Sequence, residues 1–359
     1  MFIVFDKLWC HLATKQTVAK VRSKEYFSTF ETKQMRIFIT GAAGFIGSNL
    51  SRFLLQRGHS VIGIDNFSYG EQRNLKSIIN HPNFEFITGD ILNSFIYAEV
   101  KADVIVHLAS QKIPRYNNAY RTLVENDTML KNIVKKALRD DSRVLFASTS
   151  DVYGKNPIIP FSEESDLLLG PTTVKRWAYA LSKINGEHYL IACGEEFGLK
   201  YTINRFFGSY GPNQNLTWWG GPQSLFIEKA LKKEPIDIHG DGTQTRTFTF
   251  IEDTIAGITK CVESENANGE IVNIASNPEE EVSILELARK IWGIVNPTDK
   301  EPMINFVPYS TFGKYEDVAR RVPNIDKLIT KFNYKPSYSL EQGLIETIKW
   351  QRELTNFTS

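Results

Sequence analysis

Cysteine is scarce, neither charge sign dominates, and no long apolar run is present. The 359 residues include three cysteines, Cys10, Cys193 and Cys261, widely separated and forming no metal-type pair. They read as thiols of a reducing compartment, so no metal and a cytoplasmic location are expected. Lys plus Arg (42) nearly cancels Asp plus Glu (41), so no global field draws the chain to nucleic acid or to a membrane surface. No apolar segment approaches the roughly 18 residues of a membrane span, and neither repeats nor low-complexity tracts occur. What is left is a globular protein of ordinary composition, 42% hydrophobic and 23% charged, long enough for about two domains.

Residues 1–34 differ from the rest. They open Met1-Phe-Ile-Val-Phe5, then Asp6, then a moderately basic stretch with Lys15, Lys20, Arg22 and Lys24. The apolar piece is short, lacks a preceding positive charge and has no small-residue cleavage site, which argues against a secretory signal. Asp6, Glu25 and Glu31 argue against a transit peptide. Met35 immediately precedes the first strand, so residues 1–34 are expected to be a surface appendage or sequence upstream of the true start.

From there short apolar runs alternate with longer helical patterns. Strands are predicted at Ile37–Thr40, Val61–Asp65, Phe84–Thr88, Val104–Ala109, Val144–Ser148 and Tyr201–Phe207. Helices are predicted at Phe45–Arg57, Ala119–Arg139 and Trp177–Phe197. This alternation predicts an α/β fold, a Rossmann-type doubly wound parallel sheet covered on both faces, with ligands beyond the carboxyl ends of its strands. After about residue 208 the pattern loosens, and Gly211-Pro212, Gly220-Gly221-Pro222 and Gly240-Asp241-Gly242 punctuate shorter elements. A division into 35–207, binding a dinucleotide, and 208–355, a smaller C-terminal α/β substrate domain interleaved with it, is expected.

Thr40-Gly41-Ala-Ala-Gly44-Phe45-Ile46-Gly47 follows a strand and opens a helix, the context a dinucleotide fingerprint requires. Gly41 permits the turn, Gly44 lets backbone approach a pyrophosphate, and Gly47 lets the helix pack on the sheet. Asp65 ends the second strand, where a carboxylate accepts the ribose hydroxyls of NAD and repels the extra phosphate of NADP. Asp90, after the third strand, is placed to cap the adenine amino group.

Tyr179 and Lys183 lie at i and i+4 on a predicted helix and so share one face. A phenol with a pKa of about 10 is a poor base at neutral pH. The Lys183 ammonium and a positive nicotinamide ring are expected to pull it down. Thr149, at the end of the fifth strand, is placed to bond the substrate hydroxyl, and Ser150 and Asp151 follow on the same turn. Tyr97 and Lys101 repeat the spacing without a hydroxyl cluster upstream and read as structural. Arg205, Arg246 and Arg321 are candidate partners for anions, Arg246 best placed to pin a diphosphate. Lys112 and Arg115 either face the ligand or are solvated loop residues. Trp218 and Trp219 either wall a pocket or pack in the core.

In this order the motifs resemble the extended short-chain dehydrogenase/reductases, in their nucleotide-sugar epimerase, dehydratase and decarboxylase group, over about residues 35–355. The resemblance rests on the glycine turn, Asp65-Asn66, Ser148-Thr-Ser-Asp-Val-Tyr-Gly154, Tyr179 with Lys183, Tyr210-Gly-Pro212 and Gly240-Asp-Gly242 with Arg246. It implies tightly held NAD, contacted by Gly41, Gly44, Phe45, Ile46, Gly47, Asp65, Asn66, Asp90, Ile91, Leu108, Ala109, Tyr179 and Lys183. It also implies a nucleoside-diphosphate sugar, UDP-linked by preference, near Lys112, Arg115, Arg246 and Arg321, and a homodimer built through a helix bundle. Tyr179 would be the base, Lys183 would tune it, and Thr149 would assist, with Ser150 and Asp151 deciding the outcome.

Within the group, Gly170–Tyr179 and Tyr315–Pro323 look like UDP-glucuronate decarboxylases, which usually carry Ser-Glu where Ser150-Asp151 stands. Gly208 stands where many relatives have Asn. A UDP-sugar 4-epimerase asks least of the residues and is the first expectation. UDP-glucuronate decarboxylation is the alternative, then a dehydratase, then a non-catalytic NAD-binding scaffold.

Overall fold

The computed structural model describes residues 33–112, 119–217, 220–299 and 301–355, and from Met35 the chain is one compact unit. The expectations for residues 1–32, including Cys10, and for Arg115, Trp218 and Trp219 lie outside the described residues. Six strands come first: β1 (Arg36–Thr40), β2 (Ser60–Asp65), β3 (Phe84–Thr88), β4 (Val104–His107), β5 (Arg143–Thr149) and β6 (Tyr201–Phe206). Three helices connect them: α1 (Phe45–Gln56), α2 (Ala119–Asp140) and α3 (Arg176–Phe197). Short elements follow, namely β7 (Ser209–Tyr210), α4 (Pro222–Lys232), β8 (Ile236–His239), β9 (Thr245–Arg246), β10 (Thr249–Phe250) and α5 (Ile251–Glu263). The chain then returns with β11 (Glu270–Ile274) to the main sheet, whose order is β11-β6-β5-β4-β1-β2-β3 with every pairing parallel.

Strands β1, β2, β4 and β5 are buried along nearly their whole length because both faces are covered, while β3 at the sheet edge stays partly exposed. Along β1, Ile37 and Ile39 enter one core and Phe38 the other. The second of these cores joins Ile105, Leu130, Ile133, Phe146 and Leu190 between the sheet and α2 and α3. The first continues from α1 (Leu50, Leu54) into the later half of the chain, through Phe226, Ile255 and Ile274. It also takes in α6 (Ile284–Val295), α7 (Asp326–Phe332) and α8 (Leu340–Thr355) through Leu287, Leu328 and Leu344. β12 (Val282–Ser283) and β14 (Arg320–Arg321) flank β9, and β13 (Ile304–Val307) pairs with β8. Among the described residues no helix is long and apolar enough to cross a membrane.

From β1 the chain winds outward through β2 to β3 on one side, then crosses from β3 to β4 on the other side of β1. The carboxyl ends of β1 and β4 therefore form the switch point at which open α/β sheets bind ligands.

Candidate active site

A cavity of about 550 Å³ opens at that switch point. Its nucleotide half is built by the glycine turn. Gly41 has φ +74°, and a Cβ there would come within 3.0 Å of the Ala109 nitrogen. At Gly47 a Cβ would fall 2.1 Å from the Gly41 carbonyl oxygen, so helix α1 seats on the turn only because that position has no side chain. The helix begins at Gly44 with no side-chain cap and no acidic residue in its first turn. Gly44, Phe45, Ile46 and Gly47 line the cavity, so the first amide groups and the positive end of the dipole face a ligand. This cradle fits a dinucleotide pyrophosphate. At the end of β2, Asp65 Oδ2 accepts the Ala43 N–H at 3.0 Å and Oδ1 the Phe67 N–H at 2.8 Å. Each oxygen keeps a lone pair for a ribose hydroxyl. Asn66 Nδ2 donates to Asp90 Oδ2 at 3.0 Å, and both line the wall with Ile91, Leu108, Ala109 and Lys112.

Thr149, Tyr179 and Lys183 meet in the adjoining part of the cavity. Lys183 is 3% exposed, and its ammonium donates to the Ala147 carbonyl at 2.8 Å. It lies 5.8 Å from the Tyr179 ring centroid and 4.8 Å from that of Phe146. The protein's own surroundings raise the phenol rather than lower it. Burial raises the Tyr179 pKa, the Asp151 charge raises it further, and hydrogen bonds with Thr149 and Ser110 recover only part. Burial also pushes the Lys183 ammonium down to about 7, against the opposing pull of Glu187. Desolvation is thus the largest influence on both groups.

Beyond Tyr179 three arginines and two aspartates interlock. Asp151 Oδ1 accepts from Arg321 Nη2 at 2.6 Å and from Arg176 Nη2 at 3.1 Å. Burial alone would raise the Asp151 carboxyl, but the two guanidiniums hold it below its ordinary value. Asp317 Oδ1 accepts from Arg176 Nη1 at 2.8 Å and from Arg246 Nη2 at 2.9 Å. Burial and the neighbouring Arg321 push the Arg246 guanidinium down to about 10. Of the three arginines, among the described residues, only Arg176 belongs to the cavity wall. The two picked out from sequence, Arg246 and Arg321, are bound to Asp317 and Asp151. Ser150 is 2% exposed, accepts a 3.5 Å contact from Arg321 Nη1 and is not part of the wall.

Arg205 is not available to an anion at all. It is 3% exposed, bidentate on Glu187 at 2.6 and 3.1 Å, and bonded to the Tyr153 hydroxyl at 3.0 Å. Removing one partner of such a pair strands a buried charge, at a cost of about 3–5 kcal/mol. The second Tyr/Lys pair is structural, as its context suggested: Tyr97 donates to the Ile91 carbonyl at 2.8 Å and Lys101 pairs with Asp140 at 2.8 Å. Residues that sequence reasoning passed over are Arg176, Ser110, Tyr315 and Asp317. Arg176, three positions before Tyr179, shares its helix face, and that spacing was the available signal.

A doubly wound sheet with a glycine cradle at its switch point and Thr149, Tyr179 and Lys183 beside it defines a dehydrogenase/reductase of the short-chain type. The chain belongs to the NAD dependent epimerase/dehydratase family, whose model matches residues 37–275. It is 36% identical over 89% of its length to the UDP-N-acetyl-alpha-D-glucosaminuronate decarboxylase of Bacillus cytotoxicus, covering 99% of that protein. It is 35% identical over 90% of its length to UDP-glucuronic acid decarboxylase 1 of Xenopus tropicalis, covering 73% of that protein. Among solved structures it is similar to the UDP-glucuronic acid 4-epimerase of Bacillus cereus in complex with UDP-glucuronic acid and NAD. The TM-score there is 0.79 and the identity 30%, over 89% of this chain and 100% of that one.

Proposed function

We propose that this protein is an NAD-dependent decarboxylase of UDP-linked hexuronates, working as a homodimer, with segment 208–355 supplying much of the sugar side. The observation that carries the proposal is the Arg176–Asp151–Arg321 triad at the end of β5, beside Tyr179. A neutral hexose epimerase needs only Thr149, Tyr179, Lys183 and room for a ketone to turn. Charged groups set against the next carbon of the sugar suit a substrate with a carboxylate there. The decarboxylase relatives support the same choice over the 4-epimerase placed first from sequence.

When bound, NAD supplies the hydride acceptor and later the donor. Tyr179 takes the proton of the C4 hydroxyl, Thr149 holds that oxygen, and Lys183 steadies the phenolate through its charge. The product of that step is a 4-keto uronate, which is a β-keto acid. Its C5–C6 bond breaks, CO2 leaves, and the electron pair moves into the C4 enolate, whose oxygen Tyr179 and Thr149 already face. C5 then takes a proton from water, and Tyr179 returns its proton to the C4 oxygen as the ketone is reduced again, giving a UDP-pentose. Asp151, kept ionised by its arginines, places a negative charge near the departing carboxylate, disfavouring the ground state more than neutral CO2.

A uronate 4-epimerase is the second reading, favoured by the similarity to the Bacillus cereus enzyme, and it shares every step up to the ketone. Mass spectrometry and NMR of products from UDP-glucuronate and UDP-N-acetylglucosaminuronate separate the two. Loss of CO2 is expected, and an isomer of unchanged mass would overturn the proposal. Tyr179→Phe should retain bound NAD while turnover falls by about 10²–10⁴; an unimpaired variant would remove Tyr179 from its role.

A further inference from the structure

Arg176 stands out within the charged cluster. It opens α3 one helical turn before Tyr179, which brings the two Cβ atoms to roughly 5–6 Å. Its guanidinium joins three segments: Asp151 after β5, α3 itself, and the loop Tyr315–Asp317. Nη1 is within hydrogen-bond distance of three oxygens, Asp317 Oδ1 at 2.8 Å, the Tyr315 hydroxyl at 2.9 Å and the Glu316 carbonyl at 3.2 Å. Nη1 has two hydrogens to give, whereas the buried Nε–H has no partner among the described residues. The guanidinium lies 5.5 Å from the Trp177 ring centroid and 5.7 Å from that of Tyr315, so its plane is braced while its bonds are unevenly used. It is also the one arginine of the cluster in the cavity wall, together with Asp151, Tyr179 and Tyr315.

From this we infer that Arg176 is the specificity-determining residue that recognises the carboxylate of the sugar, while Arg321 serves to hold Asp151 and Arg246 stands by Asp317. The inference rests on the hexuronate reading above. Proximity to Tyr179 places Arg176 beside C4, and the substituent on the neighbouring C5 is the carboxylate; the diphosphate leaves from the far side of the ring. The sharing of Arg176 matters to the chemistry. A guanidinium given wholly to the carboxylate would stabilise the ground state and oppose loss of CO2. Arg176 is already divided between Asp151 and Asp317, so it offers the substrate a weakened bond that selects an acidic sugar without locking the group in place.

The test compares wild type with Arg176→Met and Arg176→Lys, measuring KM and kcat for UDP-glucuronate and inhibition by UDP-glucose and by UDP. Bound NAD and thermal melting report folding, and the lysine variant keeps the test open if the methionine variant fails to fold. In the methionine variant KM for UDP-glucuronate should rise roughly tenfold or more, with inhibition by UDP-glucose and UDP unchanged and with lysine restoring part of the loss. Equal weakening of all three ligands would assign Arg176 to the diphosphate or to the scaffold and overturn the inference, as would an unchanged KM. Wild type that releases no CO2 yet binds UDP-glucuronate in preference to UDP-glucose, with the preference lost in the variant, would sink the decarboxylase reading and leave Arg176's role standing.

Discussion

Lys183 carries its charge in a place that disfavours it. Burial pushes its pKa from 10.5 down to about 7, so between those values the unfolded chain binds more protons than the folded one. The cost to stability is therefore full at and below pH 7 and disappears as pH rises towards 10.5. At neutral pH it is on the order of 3–5 kcal/mol. Lys183→Met is expected to melt higher than wild type at pH 7, with the gap narrowing by pH 10, and to lose turnover. Thermal melts at the two pH values check this, and a variant that melts lower at pH 7 would show that the bond to Ala147 outweighs desolvation. Tyr179 and Lys183 were legible because their spacing on one helix is a local fact. Arg176 was not, because what gives it meaning is Asp151, 25 positions away, and Tyr315 and Asp317, 139 and 141 positions away.

At the scale of elements the dinucleotide half was legible almost to the residue. The predicted strand Phe84–Thr88 is β3, and the predicted helix Phe45–Arg57 is α1 but for its last residue. These elements follow one another in sequence and each carries its own local apolar pattern, so the sequence alone reveals them. The seventh strand, β11, was missed. Its Glu270 and Asn273 dilute the apolar run, and its partner β6 lies some 70 positions upstream, so nothing local marks it. The glycine turn is the element on which cofactor binding hinges. Gly47→Ala would set a methyl 2.1 Å from the Gly41 carbonyl, and the contact is backbone, so the start of α1 must move. We expect this variant to purify without NAD and to melt several degrees lower, by HPLC of the denatured protein and by scanning calorimetry. A full complement of NAD would mean that the helix start tolerates the shift and that the cradle is set elsewhere.

Across the whole molecule the most telling surface is the one that the fold leaves apolar. Helix α2 exposes Tyr120 at 70%, Leu123 at 36% and Val124 at 43%, and Leu181 on the adjoining α3 is 48% exposed. Positions 120, 123 and 124 follow the i, i+3, i+4 spacing of a single helix face. Apolar side chains left exposed on neighbouring helices are a usual mark of an interface. Two copies meeting through it would bury these side chains on the outer side of the helix that bears Tyr179 and Lys183. That is the physical ground for the proposed homodimer. Light scattering coupled to gel filtration should give twice the 40.9 kDa chain mass at micromolar concentration. Leu123→Glu combined with Val124→Glu should bring it to a single chain, because each carboxylate would have to be desolvated in the contact. A single-chain mass for the wild-type protein at every concentration would leave this apolar face without a partner copy and refute the dimer.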